Sequence, residues 1–148
     1  METSMSKSIL GGIVGTIFMT IITIVAPMMG MPKMSPPDML AGMMNVPIIV
    51  GWTMHFMIGI IFALAYVYLF APKVNIDNLV VKGAVFGFAV FIFAQIAMAI
   101  MGAIFSMPAT EGSMILVIIG SIIGHVVFGI GVSKTVNYWY NRFNKWKL

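Results

Sequence analysis

The chain has no cysteine, only two histidines and only four acidic residues among 148. Without thiols there can be no disulfide, cysteine nucleophile, iron–sulfur cluster or cysteine zinc site. Charged residues make up 8% of the chain, against roughly a quarter in soluble domains, so this is not the composition of an ordinary soluble enzyme. What fills the space is apolar: 61% of residues, with a mean hydropathy of +1.07. A bilayer-spanning helix needs about 20 apolar residues, which leaves room for about four spans and excludes a large extramembrane catalytic domain.

Four apolar runs cover residues 9–29, 48–70, 79–105 and 114–136. They hold no Asp, Glu or Arg, and their lysines, Lys82 and Lys134, lie near the ends. Backbone groups in hydrocarbon must bond within their own segment, and the runs lack the alternation of barrel strands, so they read as helices. The expected fold is therefore all-α, a polytopic membrane four-helix bundle in a single domain over residues 1–148. The first run resembles a secretory signal in its leading Lys7, but no Ala-x-Ala-like cleavage site follows, and it is read as retained.

Four spans put both termini on one side with the connection over residues 71–78. That side carries Lys7, Lys73, Lys82, Lys134, Arg142, Lys145 and Lys147, and the other only Lys33. The positive-inside rule makes the termini cytoplasmic. The tail, residues 137–148, interleaves basic and aromatic side chains and suits a headgroup layer rather than nucleic acid.

Helices one and two resemble helices three and four, which makes the bundle two tandem helical hairpins, a parallel internal repeat. Gly11 and Gly15 match Gly83 and Gly87, and Gly30 matches Gly102, at an offset of 72. Gly51, His55, Gly59 and Ala63 match Ser121, His125, Gly129 and Ser133 at an offset of 70. A step of four keeps each stripe on one helix face. The two histidines should then share one depth, roughly 10 to 16 Å from the starts of their helices.

The segments Gly11-Gly-Ile-Val-Gly-Thr16, Pro27-Met-Met-Gly-Met-Pro32, Gly51-Trp-Thr-Met-His55-Phe-Met-Ile-Gly59, Lys82-Gly-Ala-Val-Phe-Gly87 and Gly124-His125-Val-Val-Phe-Gly129 carry a resemblance. They resemble a family of small bacterial and archaeal four-helix membrane proteins known as a domain of unknown function. The likeness runs from about Ser8 to Val132. It implies the four-helix topology, paired histidines and a place in a prokaryotic cytoplasmic membrane, and brings no activity with it.

Several chemistries are open to these residues. An ionisable residue inside a span is by default a functional hypothesis. His55 and His125 would ligate one haem b, with Gly59 and Gly129 giving the macrocycle close approach, in an electron-transfer or quinone-facing protein. The simpler reading has neutral histidines donating to carbonyls across helix interfaces that Gly11, Gly15, Gly51, Gly83, Gly87 and Ser121 allow to close. Gln95 is the most polar of the other intramembrane groups, which include Thr16, Thr20, Thr23 and Thr53, and would bond a histidine, a quinone carbonyl or backbone.

Asp38 and Glu111 occupy nearly equivalent loop positions. Glu111 lies roughly 16 Å above His125 along a regular helix, too far for a shared metal, and Asp38 suits a cap for a short helix after Pro36-Pro37. Seven of the sixteen methionines fall between Met28 and Met44. Thioethers select Cu(I), though an apolar loop packing on the membrane or a partner needs no metal. A transporter would show broken helices or charged pairs at the midplane, and neither is evident. No Ser-His-Asp set, intramembrane carboxylate pair, phosphate-binding glycine loop or HExxH motif is present, so no catalyst is visible. The expectation is a non-catalytic subunit or accessory component of a larger membrane complex, partnered by lipid and by other subunits or copies of itself, not by nucleic acid.

Overall fold

A computed structural model describes residues 2–105 and 112–144. Glu111 and the end of the tail, Lys145 to Leu148, lie outside the described residues. The described residues form helices joined by turns and irregular segments, with no strand, in five α-helices rather than four. They are α1 (Glu2–Val25), α2 (Pro36–Met44), α3 (Ile48–Ala65), α4 (Leu79–Ile104) and α5 (Met114–Asn144). Four helical stretches, Met5–Met29, Ile48–Phe70, Leu79–Ile104 and Met114–Trp139, are long and apolar enough to cross a membrane, with mean hydropathies of 2.1 to 2.5.

The ends follow local chemistry. A short 3-10 turn, Ala26–Met29, closes α1, and Gly30 stops it at φ 85°, a conformation that favours glycine. Ser35 caps α2, its Oγ accepting from the Asp38 amide at 3.4 Å, with prolines filling the first turn. The cap is thus Ser35, and Asp38 instead sets a negative charge in the first turn, where the helix dipole favours it. Asn78 caps α4 by accepting from the Val80 and Val81 amides at 2.9 and 3.2 Å. α5 passes the expected end at 136 and carries residues 137–144 of the tail as helix, because no Gly or Pro follows Gly131 to stop it.

The long helices pack in the order α3, α1, α5, α4. Glycines set each crossing. A Cβ on Gly12 would meet the Gly59 carbonyl and the Ile60 backbone at 2.6 to 2.9 Å, and one on Gly83 would meet the Gly129 carbonyl and the Ile130 backbone at 2.6 to 2.9 Å. A Cβ on Gly15 would meet the Phe128 carbonyl at 2.9 Å, which lets α1 come onto α5, and one on Gly11 would meet Val136 Cγ2 at 3.0 Å. Gly51 leaves no space for a side chain beneath the Pro37 carbonyl, so α2 lies directly on α3.

α3 and α4 meet mainly through rings. Phe62 and Phe93 are 5.5 Å apart between centroids, Tyr66 and Phe86 5.0 Å, and Phe70 and Phe86 5.1 Å. A π-helical turn, Tyr66–Phe70, aims these rings, and the Tyr66 hydroxyl donates to Ser133 Oγ at 2.8 Å. Around them the core of Ala63, Tyr66, Phe86, Val90, Phe128 and Val132 fills the end of the bundle away from α2. The other end is left less tightly closed.

Candidate functional site

Because the α3–α4 contact is made by side chains of the Tyr66 end, the four long helices line a half-open cavity of about 360 Å³ at the α2 end. Thr16, Met19 and Thr23 bound it on α1, His55, Ile58, Gly59 and Phe62 on α3, and Val90, Ala94, Gln95 and Met98 on α4. α5 contributes Met114, Gly120, Ser121, His125 and Phe128 among others, while Met34, Pro36, Met39 and Leu40 form the roof. Among the described residues the lining contains no Asp, Glu, Lys or Arg. It is an uncharged chamber with a few polar groups, the usual make-up of a small-molecule site.

Both histidines reach this chamber, but their bonding differs. His55 is buried, and its Nε2 lies 3.3 Å from Thr20 Oγ1 on α1. His125 is half-buried, and its Nδ1 lies 2.7 Å from the Ser121 carbonyl one turn earlier on its own helix. A carbonyl only accepts, so Nδ1 carries the proton and Nε2 the lone pair. The Ser121 hydroxyl is 3.4 Å from the same Nδ1, and Phe91 packs edge-on against the ring at 5.9 Å. The expected bond from each histidine to a carbonyl across an interface is therefore replaced by a hydroxyl on α1 for His55 and by an intrahelical carbonyl for His125.

The other sequence candidates divide between wall and seam. Gln95 lines the chamber yet bonds neither histidine. Gly59 and Gly129 do allow close approach, but to α1 and α4 respectively: a Cβ on Gly59 would strike Thr16 Oγ1, and one on Gly129 the Gly83 carbonyl. Gly87 lies against the His125 carbonyl and Val126 in the same α4–α5 seam. Gly11, Gly15, Gly51 and Gly83 likewise serve helix contacts, as described above. Ser121 orients His125.

Among the described residues no three His, Asp or Glu side chains group to hold a metal, and Asp38 is exposed. The methionine segment folds inward in part. Met34 and Met39 enter the chamber and Met43 is buried, whereas Met28 and Met29 are 83% and 79% exposed. Sequence reasoning missed Thr20 as the partner of His55, and Met19, Met98 and Met114 as chamber walls. A threonine at helical spacing on a neighbouring span was the available signal for the first. The methionines carried none, because methionine is also a general packing residue.

Neither a curated protein nor a solved structure matches the chain. The profile of one family matches residues 2–147, nearly the whole length. The chain therefore belongs to the family of unknown function DUF6789.

Proposed function

We propose that the protein is an integral membrane protein of a prokaryotic cytoplasmic membrane, crossing it by its four long helices with both termini inside. In this reading it holds one small guest in the histidine chamber while serving as a non-catalytic subunit of a larger membrane assembly. Insertion is supported by the exposed apolar belt, which includes Ile24, Ile49, Phe93 and Ile115 at 60 to 69% exposure. A surface of this kind is unfavourable in water and suits acyl chains. Duplication of a hairpin is supported by the like contacts of Gly12 with Gly59 and of Gly83 with Gly129. On that geometry Gly12 rather than Gly11 is the counterpart of Gly83, and Thr16 that of Gly87.

The observation that carries the binding role is the chamber itself: a cavity with two imidazoles and an amide, and no charged side chain among the described residues of its wall. Nothing in that wall is arranged as nucleophile, base and orienting group, which favours binding over catalysis. The test is isolation from native membranes in a mild detergent, followed by native mass spectrometry. Recovery in a complex of fixed stoichiometry with a bound guest is expected. A bare monomer, with neither guest nor partner after gentle extraction, would overturn the proposal.

A second reading, ligation of one haem b by His55 and His125, is favoured by the Ser121 carbonyl, which fixes the His125 ring as the outer partners of metal-bound histidines do. It also requires His55 Nε2 to leave Thr20. Expression with ample haem and reduction by dithionite decides it, since a spectrum with no α band removes the reading.

A further inference from the structure

The chamber opens sideways. α3 and α4 are the two ends of the packing order α3, α1, α5, α4, and the rings that join them, Phe62 with Phe93 and Tyr66 and Phe70 with Phe86, stop short of the α2 end. Beyond those rings Ile58 on α3 and Gln95 on α4 border the chamber and are exposed. The α2 end is covered instead: the Pro37 carbonyl lies on Gly51 of α3, and Met31 and Met34 cover Gly120 of α5. Ile61 and Ile96, beside the gap, are exposed members of the apolar belt. Gln95 stands roughly 14 Å along α4 from its end at Ile104, well below a headgroup layer. With the four long helices across a bilayer, the gap faces acyl chains rather than water.

Two polar groups at this chamber have no partner in the protein. The Nδ1 proton of His125 is held by the Ser121 carbonyl, so Nε2 is an acceptor, and among the described residues nothing donates to it. Nor is it sealed, because among the described residues Thr16 Oγ1, packed against Gly59, is the single fully buried side-chain atom without a partner. Gln95 makes no side-chain hydrogen bond among the described residues, and its amide can both donate and accept. Hydrocarbon supplies no water to relieve either group. Gly87 is level with His125, Phe91 one turn on packs against the His125 ring, and Gln95 follows one turn later. Side chains lean toward the start of their own helix, so on these antiparallel helices Gln95 and His125 lean toward one another.

The guest that suits this pair has a hydroxyl to donate to Nε2, an oxygen to accept from the amide, and no charge. A carboxylate or phosphate head is disfavoured, since the described lining has no Lys or Arg to offset it. A quinone or ketone only accepts and leaves Nε2 unpaired. A cavity of about 360 Å³ lies at the small end of small-molecule sites, so it takes a head group while a long tail stays in the gap.

We propose that the chamber takes a neutral lipid alcohol from the bilayer through the gap between α3 and α4, its hydroxyl head held by His125 Nε2 and Gln95 and its tail left among the acyl chains. This rests on the reading of the chamber as a binding site in a membrane protein and names the class of its guest. Acylglycerols and prenylated hydroquinones carry the same head chemistry, and the test separates them.

The full chain in detergent micelles is titrated with monooleoylglycerol and, under reductant, with geranyl hydroquinone, and binding is read by native mass spectrometry. Each is run beside its analogue with every hydroxyl methylated, and oleyl sulfate serves as the charged control. One molecule per chain of at least one alcohol is expected, and the tighter of the two identifies the source. Its methyl ether should bind at least about tenfold more weakly, because the ether leaves Nε2 unpaired. Gln95→Leu, at an exposed position, should weaken the alcohol by about tenfold. In His125→Phe alcohol and ether should bind alike, whereas a merely structural histidine would weaken both and keep their ratio.

A diazirine midway along the tail of the better alcohol gives a result that needs no variant. Its cross-links on the parent chain should fall on α3 and α4 beside the gap, at positions such as Ile61 and Ile96. Equal binding of alcohol and ether by the parent, retention of oleyl sulfate as firmly as the alcohol, an unchanged affinity in Gln95→Leu, a preserved ratio in His125→Phe or cross-links away from the gap would each overturn the proposal. If protein from native membranes carries a guest that is not a lipid alcohol, the alcohol site falls while the binding chamber stands. If neither these probes nor a native guest is held, both fall.

Discussion

Whether a glycine in this bundle is replaceable depends on whether its neighbour is backbone or the end of a side chain. At Gly87 an added Cβ would meet the His125 carbonyl and Val126 Cα, and neither can move without shifting α5. At Gly124 it would lie 3.5 Å from Met19 Cγ, an ordinary contact with a flexible side chain. Alanine favours a helix over glycine by about 1 kcal/mol, whereas overpacking a close contact costs about 1–3 kcal/mol. Gly87→Ala is thus expected to destabilise the protein by up to roughly 2 kcal/mol, and Gly124→Ala to leave it unchanged or slightly more stable. Denaturant titration in detergent micelles, followed by circular dichroism, measures both. Equal effects would mean that the α4–α5 seam yields more readily than its backbone contacts imply. The same residue scale explains what the sequence concealed at the histidines. Their spacing to small residues is the same on α3 and α5, but Thr20 and Ser121 are different partners, and partner choice depends on which helix lies opposite.

Among the elements, α2 is the one that decides access to the chamber. A short helix near Pro36-Pro37 was legible, but its cap was sought at Asp38, whereas Ser35 caps it and the two prolines form its first turn. The limits of the apolar stretch 48–70 were legible too, since a run between Pro47 and the turn at 71–73 leaves little freedom, but the π-turn at its end was not. The chamber was not. It exists because α1 packs on α5 while α3 and α4 touch mainly through rings, and neighbour choice among equally apolar helices leaves no mark in hydropathy. α2 closes this space by lying on Gly51, where a Cβ would strike the Pro37 carbonyl and approach Ala41 Cβ at 3.0 Å. Gly51→Ala should therefore lift α2 from α3 without unfolding the long helices. Hydrogen exchange read by mass spectrometry should show faster exchange over residues 31–46 and unchanged protection in α1, α4 and α5. A uniform loss of protection would instead make α2 part of the same cooperative unit as the bundle.

For the whole molecule, the distribution of charge and the absence of cysteine combine into a direct test of orientation. Seven of the eight basic residues lie on the side assigned to the termini and the 71–78 connection, and the proposed orientation puts Met28 and the α2 roof outside. Because the chain has no native thiol, a single introduced cysteine is the sole target for maleimide. Met28 is 83% exposed and Asn75 is exposed in the connection between α3 and α4, so neither substitution disturbs packing. In intact cells with any outer barrier removed, Met28→Cys should react with a membrane-impermeant maleimide, and Asn75→Cys should react only after permeabilisation. The reverse pattern would invert the protein in the membrane and turn the chamber roof toward the cytoplasm. Reaction of both cysteines from one side would mean that α3 does not cross, since Met28 and Asn75 bracket a single passage of that helix. The histidines would then lose their common depth, and the duplicated-hairpin reading would fail with it.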